Sequence, residues 1–173
     1  ESCKLGEKVL EIKNLNMSNN LSGISLDLRE GEVLGIFGLL GSGKVELVRA
    51  IFGDAKTSSG DIEIFGKKLI KREPSKSIGN SVGFLPSERK TEGLSLIMDV
   101  KQNITLANLK NIGKGFFINK NKEKSHSKHW VDNLNIKTPS VDFIVNNLSG
   151  GNQQKVVLAK WLEASSKLLI LVE

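Results

Sequence analysis

Residues 38–45 read Gly38-Leu39-Leu40-Gly41-Ser42-Gly43-Lys44-Val45: a glycine, four residues, then Gly-Lys. That spacing suits a loop that wraps phosphate. Glycines let the backbone turn tightly and point its N–H groups at phosphate oxygens. A helix opening at the lysine adds partial positive charge, and the Lys44 ammonium reaches the β- and γ-phosphates of a nucleoside triphosphate. All eight residues are candidate ATP contacts. One position departs from the pattern. Val45 stands where Ser or Thr would place a hydroxyl on Mg²⁺, and an aliphatic side chain cannot ligate a hard cation.

A second stretch, Leu148-Ser149-Gly150-Gly151-Asn152-Gln153-Gln154, opens the helical run Lys155–Leu162. Ser149 suits an N-cap, and the two glycines bare the N–H groups of a helix start. It is physically a second phosphate-binding surface, although Ser-Gly-Gly before a helix, taken alone, is also an ordinary cap.

The elements that must hold these stretches are legible in outline. Val9–Ile12 and Ile24–Leu28 alternate apolar and polar residues, as half-buried strands do, with a turn expected at Asn19-Asn20. Val33–Phe37 is apolar on both faces apart from Gly35, the pattern of a central strand in a covered sheet. Lys44–Phe52 has helical spacing and stops at Gly53. Asp61–Phe65 and Val82–Leu85 read as strands. Val100, Ile104 and Leu106–Leu109 suggest one helix, and Trp130, Val131 and Leu134 a second. A loop over Ile136–Asn147, a helix over Gly151–Ala164 and the strand Lys167–Val172 complete the pattern. Strand, phosphate loop and helix, then inserted helices, then helix and strand argue for an α/β ATPase core with a helical insert.

Composition narrows the setting. A chain of 173 residues suits one domain with a sizeable core. No apolar run approaches the ~20 residues that cross a bilayer. The polar opening Glu1-Ser2-Cys3-Lys4 does not have the pattern expected of a signal peptide, and the single cysteine, Cys3, fits a reducing compartment. The net charge of +6 sits largely in Lys110–Lys128, which reads as a solvated helix and loop. Aromatic residues do not alternate with these lysines as on a single-strand binding platform, although Phe116 and Phe117 sit nearby. His126 and His129, in the helical insert, read as surface or partly packed residues.

Leu148–Gln154, downstream of the Gly38–Val45 loop, resembles the signature motif of ATP-binding cassette (ABC) proteins, and the resemblance covers residues 9–173. Leu148–Leu162 looks especially like the ribose, galactose or xylose importer subunits, and Pro86-Ser87-Glu88-Arg89-Lys90-Thr91-Glu92-Gly93-Leu94 resembles their second cassette. The resemblance implies an α/β P-loop core with an antiparallel β subdomain and an inserted helical subdomain. The C-terminal part of the cassette is expected to be missing. Residues 1–98 with 149–173 would form the β subdomain and core, and 99–148 the insert.

The resemblance also implies roles. Gly38, Leu39, Leu40, Gly41, Ser42, Gly43, Lys44 and Val45 would hold ATP. Leu148, Ser149, Gly150, Gly151, Asn152 and Gln153 would meet the γ-phosphate of ATP held by a second cassette, fused or separate. Glu173, ending Leu168–Glu173, falls at the position that polarises the attacking water. Val172 replaces the neighbouring aspartate, so both protein ligands expected for Mg²⁺ are valine. Cassettes stack adenine on an aromatic residue near the first strand, where this chain offers only Met17, and Ser87 lies near the glutamine-loop position. Expected partners are membrane permease subunits and, indirectly, a sugar-binding protein, at the cytoplasmic face of the membrane and without nucleic acid. Two other readings stand beside this one: a regulatory cassette that binds ATP without hydrolysing it, and a soluble cassette acting on nucleic acid.

Overall fold

A four-stranded antiparallel sheet in the order β2-β1-β3-β4 forms from β1 (Lys8–Met17), β2 (Leu21–Arg29), β3 (Ser59–Ile64) and β4 (Lys67–Lys68). The computed structural model describes residues 6–17, 21–70, 73–114 and 117–173; Cys3, the Asn19-Asn20 turn and Phe116 lie outside them. Chain contacts divide the molecule into a unit up to Val82 and a unit from Gly83.

In the first unit, alternation sets the register. Leu10 and Ile12 face Leu28 and Leu26 on one side and Ile64 and Ile62 on the other. The intervening Glu11 turns outward, where Lys8 and Lys13 each donate to it at 2.8 Å. Those ammonium groups hold the Glu11 carboxyl down at about 2. Helix α1 (Lys44–Phe52) buries Leu47, Ala50, Ile51 and Phe52 and ends on Gly53 at φ 87°, a left-handed cap that glycine adopts without strain. A short helix α2 (Pro74–Gly79) follows, with proline in its first turn.

The expected central strand Val33–Phe37 does not form. Residues 32–39 take no regular structure, and Val33 and Phe37 stand 96% and 95% exposed. A run apolar on both faces becomes a strand only when neighbours supply its ladder. No strand among the described residues pairs with it.

The second unit begins within β5 (Val82–Leu85), which pairs with β8 (Leu168–Leu171). All four β5 residues are buried. A π-helical turn, Arg89–Gly93, leads to α3 (Val100–Thr105), whose start is closed by a capping box. Asp99 Oδ1 accepts from Gln102 N at 2.9 Å, and Asp99 N donates to Gln102 Oε1 at 3.1 Å. A single 3₁₀ turn (Leu106–Asn108) and α4 (Leu109–Ile112) then replace the continuous helix expected here. The two-residue strands β6 (Gly113–Lys114) and β7 (Phe117–Ile118) lead into α5 (Lys120–Asn133). Helix α6 (Gly150–Glu163) lies on a core of Val100, Ile104, Ile136, Val145, Leu148, Val156 and Ala159.

Candidate nucleotide-binding surfaces

The loop ahead of α1 is built for close approach. Gly41 and Gly43 have φ of 80° and 87°, and a Cβ on Gly43 would fall 2.7 Å from Leu21 Cδ2. Glycine is therefore required at position 43 by both conformation and space. Gly38 through Ser42 are exposed, and Ser42 N donates to Leu39 O at 3.1 Å, which folds the loop back. Lys44 Nζ crosses the loop to donate to Gly38 O at 2.9 Å. Gly43 gives α1 no side-chain cap, so the first-turn amides remain for another acceptor. This cradle fits a polyphosphate chain. Met17 is buried, opposite Leu21, so its side chain is committed to the sheet and not presented to an adenine.

The start of α6 is arranged differently. Ser149 Oγ accepts from Asn152 Nδ2 at 2.9 Å, and Asn152 Oδ1 accepts from Lys137 N at 2.8 Å. With one lone pair so engaged, the Ser149 hydroxyl keeps its proton to donate outward. Space at Gly151 is open: a Cβ there would meet nothing within 4 Å. Gln153 is turned inward at 2% exposure and donates to Val145 O and Asn146 O at 3.2 and 3.3 Å. Leu148 is buried in the core beneath. Of the six expected contacts here, Ser149, Gly150, Gly151 and Asn152 line the helix start, while Leu148 and Gln153 anchor it.

Glu173 is exposed, one residue past the ladder bond from Val172 N to Leu85 O at 2.9 Å. The Gly38–Val45 loop falls in the first unit, and the α6 start and Glu173 in the second. Lys110, Lys120, Lys122, Lys124 and Lys128 are all exposed. His129 is exposed, whereas His126 is partly packed, its Nδ1 2.9 Å from Glu163 Oε1. No helix among the described residues is long and apolar enough to cross a membrane.

The ABC transporter family model matches residues 21–173. The chain belongs to that family. The ribose import ATP-binding protein of Clostridium tetani is 45% identical over 174 residues, covering 100% of this chain and 34% of that protein. The xylose import ATP-binding protein of Thermoanaerobacter pseudethanolicus is 43% identical, covering 97% of this chain and 35% of that protein. The chain thus spans about a third of the length of the curated relatives it matches. Among solved structures, a nucleotide-free cassette from an ABC transporter superposes with TM-score 0.76 at 22% identity, over 95% of this chain and 68% of that one. CbiO1 of Clostridium perfringens gives TM-score 0.73 at 23% identity, over 95% of this chain and 65% of that one. The fold is that of an ABC cassette, α/β with an antiparallel sheet.

The ABC family binds ATP with Mg²⁺, and the two components fit this chain unequally. Polyphosphate has the cradle at Gly38–Lys44. For the metal, the Val45 and Val172 side chains carry no donor atom. Among the described residues, no group of three or more His, Cys, Asp or Glu side chains is placed to hold an ion.

The sequence did not point to two buried polar residues behind the ABC signature helix. Lys160 is 7% exposed; its Nζ donates to Gly93 O at 2.7 Å and lies 4.8 Å from the Trp161 ring. Burial pushes the Lys160 ammonium down to about 8. Glu163, also 7% exposed, accepts from Trp130 Nε1 at 2.7 Å and Asn108 Nδ2 at 2.8 Å, besides facing His126. An apolar spacing count passes over both, because it scores them as solvent-facing.

Proposed function

We propose that this chain is an ATP-binding cassette of a monosaccharide importer, acting at the cytoplasmic face of the membrane. One observation carries the reading: 45% identity across the whole chain to a protein named for ribose import. The Gly38–Lys44 cradle, exposed from Gly38 to Ser42 and without a side-chain cap, supports ATP as the ligand. In this reading the loop amides and Lys44 hold the β- and γ-phosphates of ATP. Ser149, Gly150 and Gly151 meet the γ-phosphate of ATP on a second cassette, so the nucleotide joins two cassettes head to tail. Glu173 orients the attacking water. The helical insert around residues 86–134 faces the permease subunits, and a sugar-binding protein acts through them.

Val45 and Val172 favour a second reading for this polypeptide, in which it holds ATP but hydrolyses it slowly or not at all. Mg²⁺, when bound, would neutralise the charge that develops in phosphoryl transfer. Without its protein ligands the chain retains phosphate binding through backbone amides and Lys44 alone. The two readings share ATP binding and part on turnover.

Calorimetry with ATP, in Mg²⁺ and in EDTA, tests both beside Lys44→Ala. The expected outcome is binding that Mg²⁺ barely changes and that Lys44→Ala weakens by roughly a hundredfold, about 2.7 kcal/mol. Val45→Thr together with Val172→Asp is expected to make the affinity Mg²⁺-dependent. A steady-state ATPase rate matching active cassettes, abolished by Lys44→Ala, would exclude the slow-hydrolysis reading. Absence of ATP binding would exclude both.

A further inference from the structure

The N-terminus of α6 carries a guanidinium group pressed against it. A Cβ built on Gly150 would fall 2.6 Å from Arg89 Nη2 and 3.5 Å from its Cζ. Arg89 therefore fills the space that a side chain at position 150 would need. The first-turn amides there form the positive end of the helix macrodipole, and a cation beside them has the wrong sign. Among the described residues no carboxylate pairs with Arg89, and its buried Nε has no hydrogen-bond partner.

Packing holds these like-signed groups together. Lys160 Nζ donates to Gly93 O at 2.7 Å, tying the Arg89–Gly93 turn to the body of α6. A Cβ on Gly93 would lie 3.1 Å from Val157 Cγ2, so the turn sits directly on the helix. Arg89 N also donates to Ser87 O at 3.2 Å. Positive charge concentrated in this way is stabilised by an anion that accepts from the guanidinium and the helix amides at once. The approach is open at Gly151.

We propose that Arg89 is a phosphate-contacting residue of the signature surface, joining Ser149, Gly150 and Gly151 in one cup for the terminal phosphate of ATP held by a second cassette. The proposal rests on the reading of Ser149–Gly151 given above and adds a charged group to it. Gly150 acquires a reason of its own: any side chain there would displace Arg89, whereas Gly151 leaves the backbone free to meet the ligand.

Inorganic tripolyphosphate titrated into ¹⁵N-labelled chain carrying Lys44→Ala tests this, because that substitution disables the phosphate loop. The amide signals of Gly150 and Gly151 are expected to move saturably. Adding Arg89→Gln or Arg89→Met is expected to raise the dissociation constant roughly fivefold or more, and Arg89→Lys by a smaller factor, since lysine keeps the charge but not the fork. Indole signals of Trp130 and Trp161 monitor the fold, and Arg89→Met keeps the apolar stem if Arg89→Gln disturbs it. Equal constants with and without Arg89 overturn the Arg89 assignment and leave the signature reading standing. Still signals at Gly150 and Gly151 in every chain overturn both.

Discussion

The two glycine-marked helix starts of this chain solve one problem in opposite ways. Each offers backbone amides to an anion. The loop before α1 rests on little: the run that leads into it, residues 32–39, has no regular structure, and Leu39 and Leu40 are 85% and 100% exposed. The start of α6 is backed by a buried cluster and fixed by side-chain hydrogen bonds through Asn152, Gln153 and Lys160. Preorganised donors bind an anion without reorganising, whereas a loop must be ordered by its ligand. The α6 start is thus the better supported of the two, and the Gly38–Lys44 loop the less.

If that contrast is right, the largest stability effect lies behind α6. Ile104 is fully buried in its core. Ile104→Ala is expected to cost about 2–5 kcal/mol in denaturant unfolding, from lost burial and the cavity left behind. A cost below about 1 kcal/mol would mean the α6 core is no better packed than the loop region.

Lys160 sharpens the comparison through pH. Its folded value of about 8 lies below the 10.5 of an unburied lysine. Between those values the unfolded chain binds more protons than the folded one, so stability rises with pH across that window. The relief is complete above 10.5 and absent below 8, and amounts to something on the order of 3 kcal/mol. The chain contains no tyrosine to titrate in the same range. Unfolding of the chain minus that of Lys160→Met, followed from pH 7 to pH 11, is expected to show the rise. A flat difference would place the Lys160 ammonium in water.

Glu163→Gln is next in size. It keeps the shape of the side chain but replaces one acceptor oxygen by a donor facing Trp130, Asn108 or His126. The expected cost is about 1–3 kcal/mol, the range for a buried polar group left without its partner.

What the sequence disclosed follows from how local each signal is. Helix α1 runs over Lys44–Phe52 as its spacing and Gly53 indicate, and α6 begins at Gly150, one residue before the expected Gly151. Alternation placed β1, β2 and β3, because one face of each strand is more covered than the other. Lys160 and Glu163 stayed hidden because their partners are remote: Gly93 is 67 positions from Lys160, and Trp130 is 33 from Glu163. Arg89 was visible as part of Pro86–Leu94, yet its place against Gly150 depends on how a turn packs on a helix. The glycines of the Gly38–Val45 loop stood out because the lysine and their spacing agree, whereas Ser149-Gly150-Gly151 taken alone reads equally as a helix cap. Val33–Phe37 failed for the converse reason: its composition speaks of burial but cannot name the strand that supplies its ladder.

The smallest expected effect is for that reason the most pointed. Phe37→Ser alters a side chain that is 95% exposed, and a substitution at such a site is expected to change stability by no more than about 0.5 kcal/mol. Hydrogen exchange at residues 33–37 is expected to be fast beside exchange in α6, whose backbone bonds are covered by a packed core. If Phe37→Ser instead lowered stability by ~2 kcal/mol or more and those amides exchanged slowly, the run would be paired and covered in solution, as its apolar pattern suggests. The phosphate loop would then rest on a strand as firm as the support of α6, and the contrast between the two surfaces would disappear.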